Sequence, residues 1–279
     1  MSSMIGIGIG IPFRRMGGGV APFQGLLDLY PNASAAYSLR KLRADYSGAA
    51  VRIRRSSDNA ETDIGFLNNE FDSAAAQTFC GAGNGFVTTH YDQSGNGINK
   101  TQTTAADQYQ IVTSGVVNIL GTKPSILTGN KPPMSISGIT FKSEFLVGKL
   151  DAINSVNYVN WKVGTGGLFA AGTFAGAVGI GGFDLINAAF VNELAGRTDY
   201  RLRYWNMKSN KLFVSTNGGS ITDLGTFASS FTIEFIGGRS DVGLINFNGP
   251  FQEDIYYNSD TTSIEAGVKT NQNTYYGIY

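Results

Sequence analysis

The chain has 279 residues, enough for one large domain with a well-buried core, and its 21 basic and 21 acidic side chains give a formal net charge of zero. Only 15% of residues are charged and no long basic stripe occurs, which excludes the electrostatic footprint of a nucleic-acid binder. With 37 glycines, 13 tyrosines and 18 phenylalanines the balance is that of a turn-rich β-protein, and the single cysteine, Cys80, excludes an internal disulfide.

The chain opens unusually. Ile5, Ile7, Ile9 and Ile11 alternate with Gly6, Gly8 and Gly10, and Pro12, Arg14, Arg15 and glycines 17–19 follow. A secretory signal carries its charge before the apolar run, whereas here the arginines come after it. A dinucleotide loop fails as well, because Ile11 and Phe13 stand where Gly-x-Gly-x-x-Gly needs its third glycine. Residues 1–22 therefore read as an extended attachment arm, able to add to the sheet edge of another subunit, which implies a homo-oligomer. Residues 23–279 read as one domain.

Along that domain, Ser34 to Tyr46 places Leu39, Leu42 and Tyr46 on one face and predicts a short helix. Val51 and Ile53 alternate with Arg52 and Arg54, which predicts a strand. Asp72 can cap a helix running through Ala74 to Phe79, and His90 falls on a further strand. Val163 to Phe183 carries no charge, but eight of its residues are glycine, which suits packed strands and turns better than a membrane span. Strands follow at 201–204, at 211–216 before the turn Asn217-Gly218-Gly219, at 231–235 and at 251–257. A last helix begins at the capping box Thr262-Ser263-Ile264-Glu265, carries Ile264, Val268 and Tyr275 on one face, and ends at Gly277. The pattern is all-β: an antiparallel sandwich with a few short helices.

One run is specific enough to point to a family. Tyr91-Asp92-Gln93-Ser94-Gly95-Asn96-Gly97 closes a stretch that reads Ala-Tyr-Ser-Leu-Arg from Ala36, then Tyr46-Ser47-Gly48-Ala49, Arg55-Ser56-Ser57-Asp58 and Asp72 to Cys80. In order and spacing these segments resemble the N-terminal half of the catalytic domain of fungal family-54 α-L-arabinofuranosidases. The resemblance implies a concanavalin-like, jelly-roll type β-sandwich. It also implies two carboxylates, because a retaining glycosidase needs a nucleophile and an acid/base roughly 5 Å apart.

The family's nucleophilic glutamate ends a Cys-Cys-Phe-Asp-Tyr-Gly-Asn-Ala-Glu motif, and the matching region is expected at Asn157 to Thr165. No Asp or Glu occurs there, or anywhere from Ala152 to Phe183. The family's acid/base aspartate follows Ile-Gly-Gly, whereas Ile236-Gly237-Gly238 is followed by Arg239, with Asp241 two residues on. An arginine does not give up its proton near neutral pH. A lone histidine provides no cluster for zinc, and no cofactor or metal is expected.

Without those acids, without the family's disulfides and without a signal, the expectation is a non-catalytic bacteriophage virion protein. It would be a head fibre, decoration or tail-associated component, joined to other virion proteins by Ile5, Ile7, Ile9 and Ile11. Its outward surface would bind host glycans through Asp92, Gln93, Asn96, Trp161, Trp205, Arg239 and Asp241, with no membrane span. The competing expectation is an α-L-arabinofuranosidase-type hydrolase with rearranged carboxylates, drawn from Asp241, Asp184 and Glu193. For the Tyr91–Gly97 run itself, sugar contact competes with a structural reading, in which Asp, Asn and glycine build a tight loop.

Overall fold

The computed structural model describes residues 21–151, 156–162, 166–174, 177–184, 189–193, 202–228, 230–238 and 246–279. The expected arm, including Ile5, Ile7, Ile9 and Ile11, lies outside the described residues but for its last two positions.

The described chain is an antiparallel β-sandwich whose two layers are continuous with one another. One layer is built on β18 (Pro250–Tyr257). It pairs on one side with β1 (Ala35–Ser38) and with β7 (Ile126–Leu127), and on the other with β9 (Ser143–Gly148). From β9 the layer continues through β14 (Leu202–Lys208), β15 (Lys211–Thr216) and β16 (Thr222–Thr226). The second layer begins with β3 (Glu61–Ile64), β2 (Val51–Arg55), β4 (Gly85–His90) and β5 (Lys100–Thr101). It runs on through β8 (Met134–Phe141), β17 (Phe231–Ile236), β10 (Val156–Lys162), β11 (Gly166–Phe174), β12 (Ala177–Asp184) and β13 (Ala189–Glu193). β6 (Tyr109–Thr113) pairs with both β4 and β7 and so joins the layers.

Three larger apolar clusters and a small fourth one of Val147, Leu202 and Tyr276 fill this frame. The largest packs Phe141, Leu146, Leu168, Trp205, Val214, Ile233 and Tyr256 together. A second gathers Val51, Ile53, Cys80, Val87 and Ile111 behind α2 (Ser73–Cys80), whose N-cap Asp72 accepts from the Ala75 amide at 2.9 Å. The third lies under α1 (Leu26–Leu29) and α3 (Glu265–Tyr276) and contains Phe145, Tyr204, Ile255 and Val268. Every residue of β18 is buried, since its two faces serve different clusters. No helix among the described residues is long and apolar enough to cross a membrane.

Two sequence expectations are corrected. Residues 34–46 do not form a helix: Ala35–Ser38 is a strand, in register from Ala35↔Tyr256 to Ser38↔Glu253. Four consecutive buried residues satisfy a strand covered on both faces, and the β18 edge supplies hydrogen-bond partners that a lone helix would lack. The Thr262 capping box does not form either. α3 starts at Glu265 with Ile264 as N-cap, and the Thr262 hydroxyl and amide instead donate to Asp260 Oδ1. Gly277 ends the helix in the left-handed conformation at φ 59°, where a glycine is favoured.

The burial of Val268 and the exposure of Thr262 separate two substitutions. Val268→Asp, which buries an unpaired charge, should lower stability by about 3 kcal/mol or more, whereas Thr262→Ala should cost about 0.5 kcal/mol or less. Urea unfolding of both variants checks this. Equal midpoints would show that α3 is not docked.

Candidate functional site

The Tyr91–Gly97 run folds into a loop whose polar groups are spent on backbone. Asp92 is 4% exposed. Its Oδ1 accepts from the amides of Ala36 (2.9 Å) and Ser94 (2.8 Å), and its Oδ2 from the Ser94 hydroxyl (2.7 Å) and the Ile98 amide (3.1 Å). Gln93 is fully buried. Its Oε1 accepts from the Leu42 amide, while its Nε2 donates to the carbonyls of Ser38 and Arg40. Asn96 donates to the carbonyls of Ala33 and Ser34. Gly95 and Gly97 turn the chain at φ 97° and 72°. The loop thus clamps residues 33–42 in place.

The other residues singled out in the sequence are dispersed. Trp205 is fully buried in the largest cluster and so presents no face to a solvent-borne sugar. Trp161 stands in β10 opposite Phe235 and Gly167. Arg239 and Asp241 lie outside the described residues. His90 is 1% exposed, and burial, then Lys100, hold its pKa well below the usual range, so it stays neutral. Among the described residues no group of His, Cys, Asp and Glu is placed to hold a metal ion.

Sequence reasoning missed a set of buried acids. β18 carries Glu253 and Asp254 side by side, and alternation sends them to opposite faces. Glu253 receives Arg40 through both oxygens (2.7 and 2.9 Å), and Ser38, Gln272 and the Tyr276 hydroxyl also donate to it. Arg40 and the other donors hold Glu253 below the usual carboxylate range despite its burial. On the other face, Lys100 Nζ reaches Asp254 Oδ2 at 3.2 Å. The Tyr256 hydroxyl donates to the same oxygen at 2.6 Å and lies 3.3 Å from Glu144 Oε1. Asn160 donates to Glu144 Oε2 at 2.6 Å.

Here one cation faces two carboxyls in a space closed to water, so neutrality requires one of them to keep its proton. Among the described residues no cation forms an ion pair with Glu144. Burial, then the charge of Asp254, pushes its pKa well above the usual range. Burial raises Asp254 and lowers Lys100 too, showing that desolvation outweighs their attraction. With Glu144 and Asp254 both 0% exposed, this pair is sealed from solvent.

Two further candidate carboxylates, Asp184 and Glu193, stand on strands of the second layer. β12 and β13 pair so that Asp184 faces Ala189 and Ile180 faces Glu193. Asp184 and Glu193 are therefore four residues apart along the hairpin, about 13 Å between their backbone positions. The family's central motif fits here better than at Asn157–Thr165. Gly181-Gly182-Phe183-Asp184-Leu185-Ile186-Asn187-Ala188-Ala189 shares Phe-Asp, then Asn-Ala, with it at the same spacing. Asp184 falls on the motif's aspartate and Ala189 on its glutamate. The Ile236-Gly237-Gly238 turn is equally constrained: Gly237 donates to the Val159 carbonyl and accepts from the Phe247 amide. A Cβ on Gly237 would strike the Tyr109 hydroxyl, and one on Gly238 the Asn246 side chain.

Residues 28–123 match the family model for the catalytic domain of α-L-arabinofuranosidase B. The α-L-arabinofuranosidase B of Aspergillus niger is 38% identical over 74 residues, 26% of this chain and 15% of that protein. An α-L-arabinofuranosidase of Hypocrea jecorina is 38% identical over 73 residues, with the same coverage. The matched stretch thus spans about 15% of the length of these curated relatives. Among solved structures, an arabinofuranosidase complexed with arabinofuranosyl-α-1,2-xylobiose aligns with 89% of this chain and 64% of its own, at TM-score 0.55 and 20% identity. A GH54 α-L-arabinofuranosidase soaked with 4-nitrophenyl α-L-arabinofuranoside aligns over the same shares at TM-score 0.57 and 20% identity. At that identity the likeness is one of fold, and it extends well beyond the matched segment.

These matches overturn the expectation of a non-catalytic bacteriophage virion protein, together with its virion location. The matching model is that of a catalytic domain, and the curated relatives are fungal arabinofuranosidases. The mistaken inference ran from missing acids and cysteines to a biological setting, a step resting on analogy rather than on the chemistry of any residue.

The protonated Glu144 has a consequence for stability. A carboxyl whose folded pKa lies above its unfolded value binds more protons in the native state, so stability falls as pH rises from about 4.5 through the folded value. Besides Asp254, Lys100 and Tyr256, the groups facing it include Asn160. Glu144→Gln should remove that fall, so its thermal midpoint should overtake that of the wild type as pH is raised from 5 to 9. Parallel curves would show that Glu144 is ionised at neutral pH.

Proposed function

We propose that the chain is a glycoside hydrolase of the α-L-arabinofuranosidase type, acting on terminal α-L-arabinofuranosyl groups with its carboxylates rearranged. The observation that carries this reading is the match of residues 28–123 to the arabinofuranosidase B catalytic domain. Phe183-Asp184 and Ile236-Gly237-Gly238 follow in the family's order and support it. Ala189 occupies the place of the family's glutamate, and strand pairing sets residue 184 directly across from it. Directly paired residues of an antiparallel ladder lie about 4.5–5.5 Å apart, within the reach of a side chain. Asp184 is accordingly the carboxylate assigned to attack the anomeric carbon. Arg239 stands where the family carries its acid/base, and Asp241, two residues on, takes over proton delivery to the leaving oxygen.

Hydrolysis of an aryl α-L-arabinofuranoside by the purified chain tests this reading. Turnover above background is expected, and Asp184→Asn or Asp241→Asn should each lower it by about 100-fold or more, the scale of a lost acid/base or nucleophile. Azide should restore part of the activity of Asp184→Ala by attacking in its place. Background rates for the unaltered chain would end the hydrolase reading. Full activity in both variants would end this assignment of the carboxylates.

A further inference from the structure

Beneath the Ile236–Gly238 turn lies a small cavity. His90, Lys100 and Tyr109 line its polar side, and Ile126, Met134 and Phe251 its apolar side. None of these six is more than 5% exposed. The cavity measures about 10 Å³, close to the roughly 10–15 Å³ that one water molecule needs.

Two polar groups at this cavity are left incompletely paired: His90 Nε2, and the Tyr109 hydroxyl, whose oxygen meets the Met134 backbone but whose proton has no acceptor. The other imidazole nitrogen is engaged by the Ser38 backbone, which fixes the tautomer and leaves Nε2 as a bare acceptor. The hydroxyl brings a donor. Lys100 sits opposite His90 in the ladder, but its ammonium is directed to Asp254 and to the rings of Tyr37 and Phe251, 4.1 and 4.5 Å away. An acceptor and a donor at one closed void are the complement of a single small molecule that can both give and take a proton. A cation would meet Lys100, and an anion would meet the bare nitrogen lone pair.

We propose that this cavity is a binding site for one water molecule, which donates to His90 Nε2 and accepts from the Tyr109 hydroxyl. The water settles an imidazole lone pair and a hydroxyl proton that burial would otherwise leave unpaired. It also joins β4 and β6 at the point where Tyr109 meets Gly237, so the turn leading to Arg239 rests on a hydrated base. The inference is independent of any hydrolytic activity.

Crystals of the full chain, at a resolution that places waters, should show one density peak within about 2.7–3.2 Å of both atoms. Tyr109→Phe should remove or weaken that peak while leaving the fold intact. In solution, His90→Leu and Tyr109→Phe should be coupled. The loss in the unfolding equilibrium constant for the double variant should be smaller than the product of the single losses by roughly threefold or more. A dry cavity in the unaltered chain overturns the proposal, and so do losses that multiply independently.

Discussion

Two acids on one strand, facing opposite ways, set the terms for the rest of the molecule. β18 is covered on both faces, and Glu253 and Asp254 each need compensation on their own side. Arg40 answers one and Lys100 the other, both drawn from the first half of the chain, 213 and 154 residues away in sequence. Each removed partner would strand a charge in the core. The N-terminal segment and the C-terminal strand are therefore locked to one another by the same two pairs. The clamp of Asp92 and Gln93 on residues 33–42 belongs to this arrangement, since it holds the backbone that presents Arg40.

That division of labour explains where the family resemblance is strongest. The matched residues, 28–123, contain the Arg40 and Lys100 partners, the Tyr91–Gly97 clamp and the strands β1 to β6. They form scaffold, and a scaffold tolerates little change because buried polar groups must all find partners at once. The hairpin of β12 and β13 and the Ile236–Gly238 turn lie elsewhere, on the second layer, where single side chains can change without disturbing the two ion pairs.

The three buried carboxyls also separate two ways of perturbing an acid. Glu253 stays ionised because a guanidinium grips both of its oxygens. Glu144 holds its proton because no cation is left for it, and Asp254 lies between these cases with a lysine that is itself weakened by burial. Such shifts are often read as marks of a functional site. Here they follow from burying Glu144, Glu253 and Asp254 with Arg40 and Lys100 as the cations seen to pair with them among the described residues.

Local chemistry made much of the architecture legible in the sequence. Val51 and Ile53, the run 211–216, the alternation at 231–236, Asp72 capping α2 and Gly277 closing α3 all act over a few residues, through side-chain period, capping and positive φ. Residues 35–38 were misread because their apolar spacing suits a helix or a doubly covered strand, and only a partner 215 or more residues away decides between them. Trp205 and the acids Glu144, Glu253 and Asp254 look in sequence like surface chemistry. Their burial depends on which strands meet, and pairing between distant strands leaves no periodic trace in either one. Sequence alone determined a turn-rich β-protein resembling the arabinofuranosidase catalytic domain. Which carboxyls are sealed in the core and which stand on the second layer was decided by tertiary structure, because desolvation and strand register act between residues the chain holds far apart.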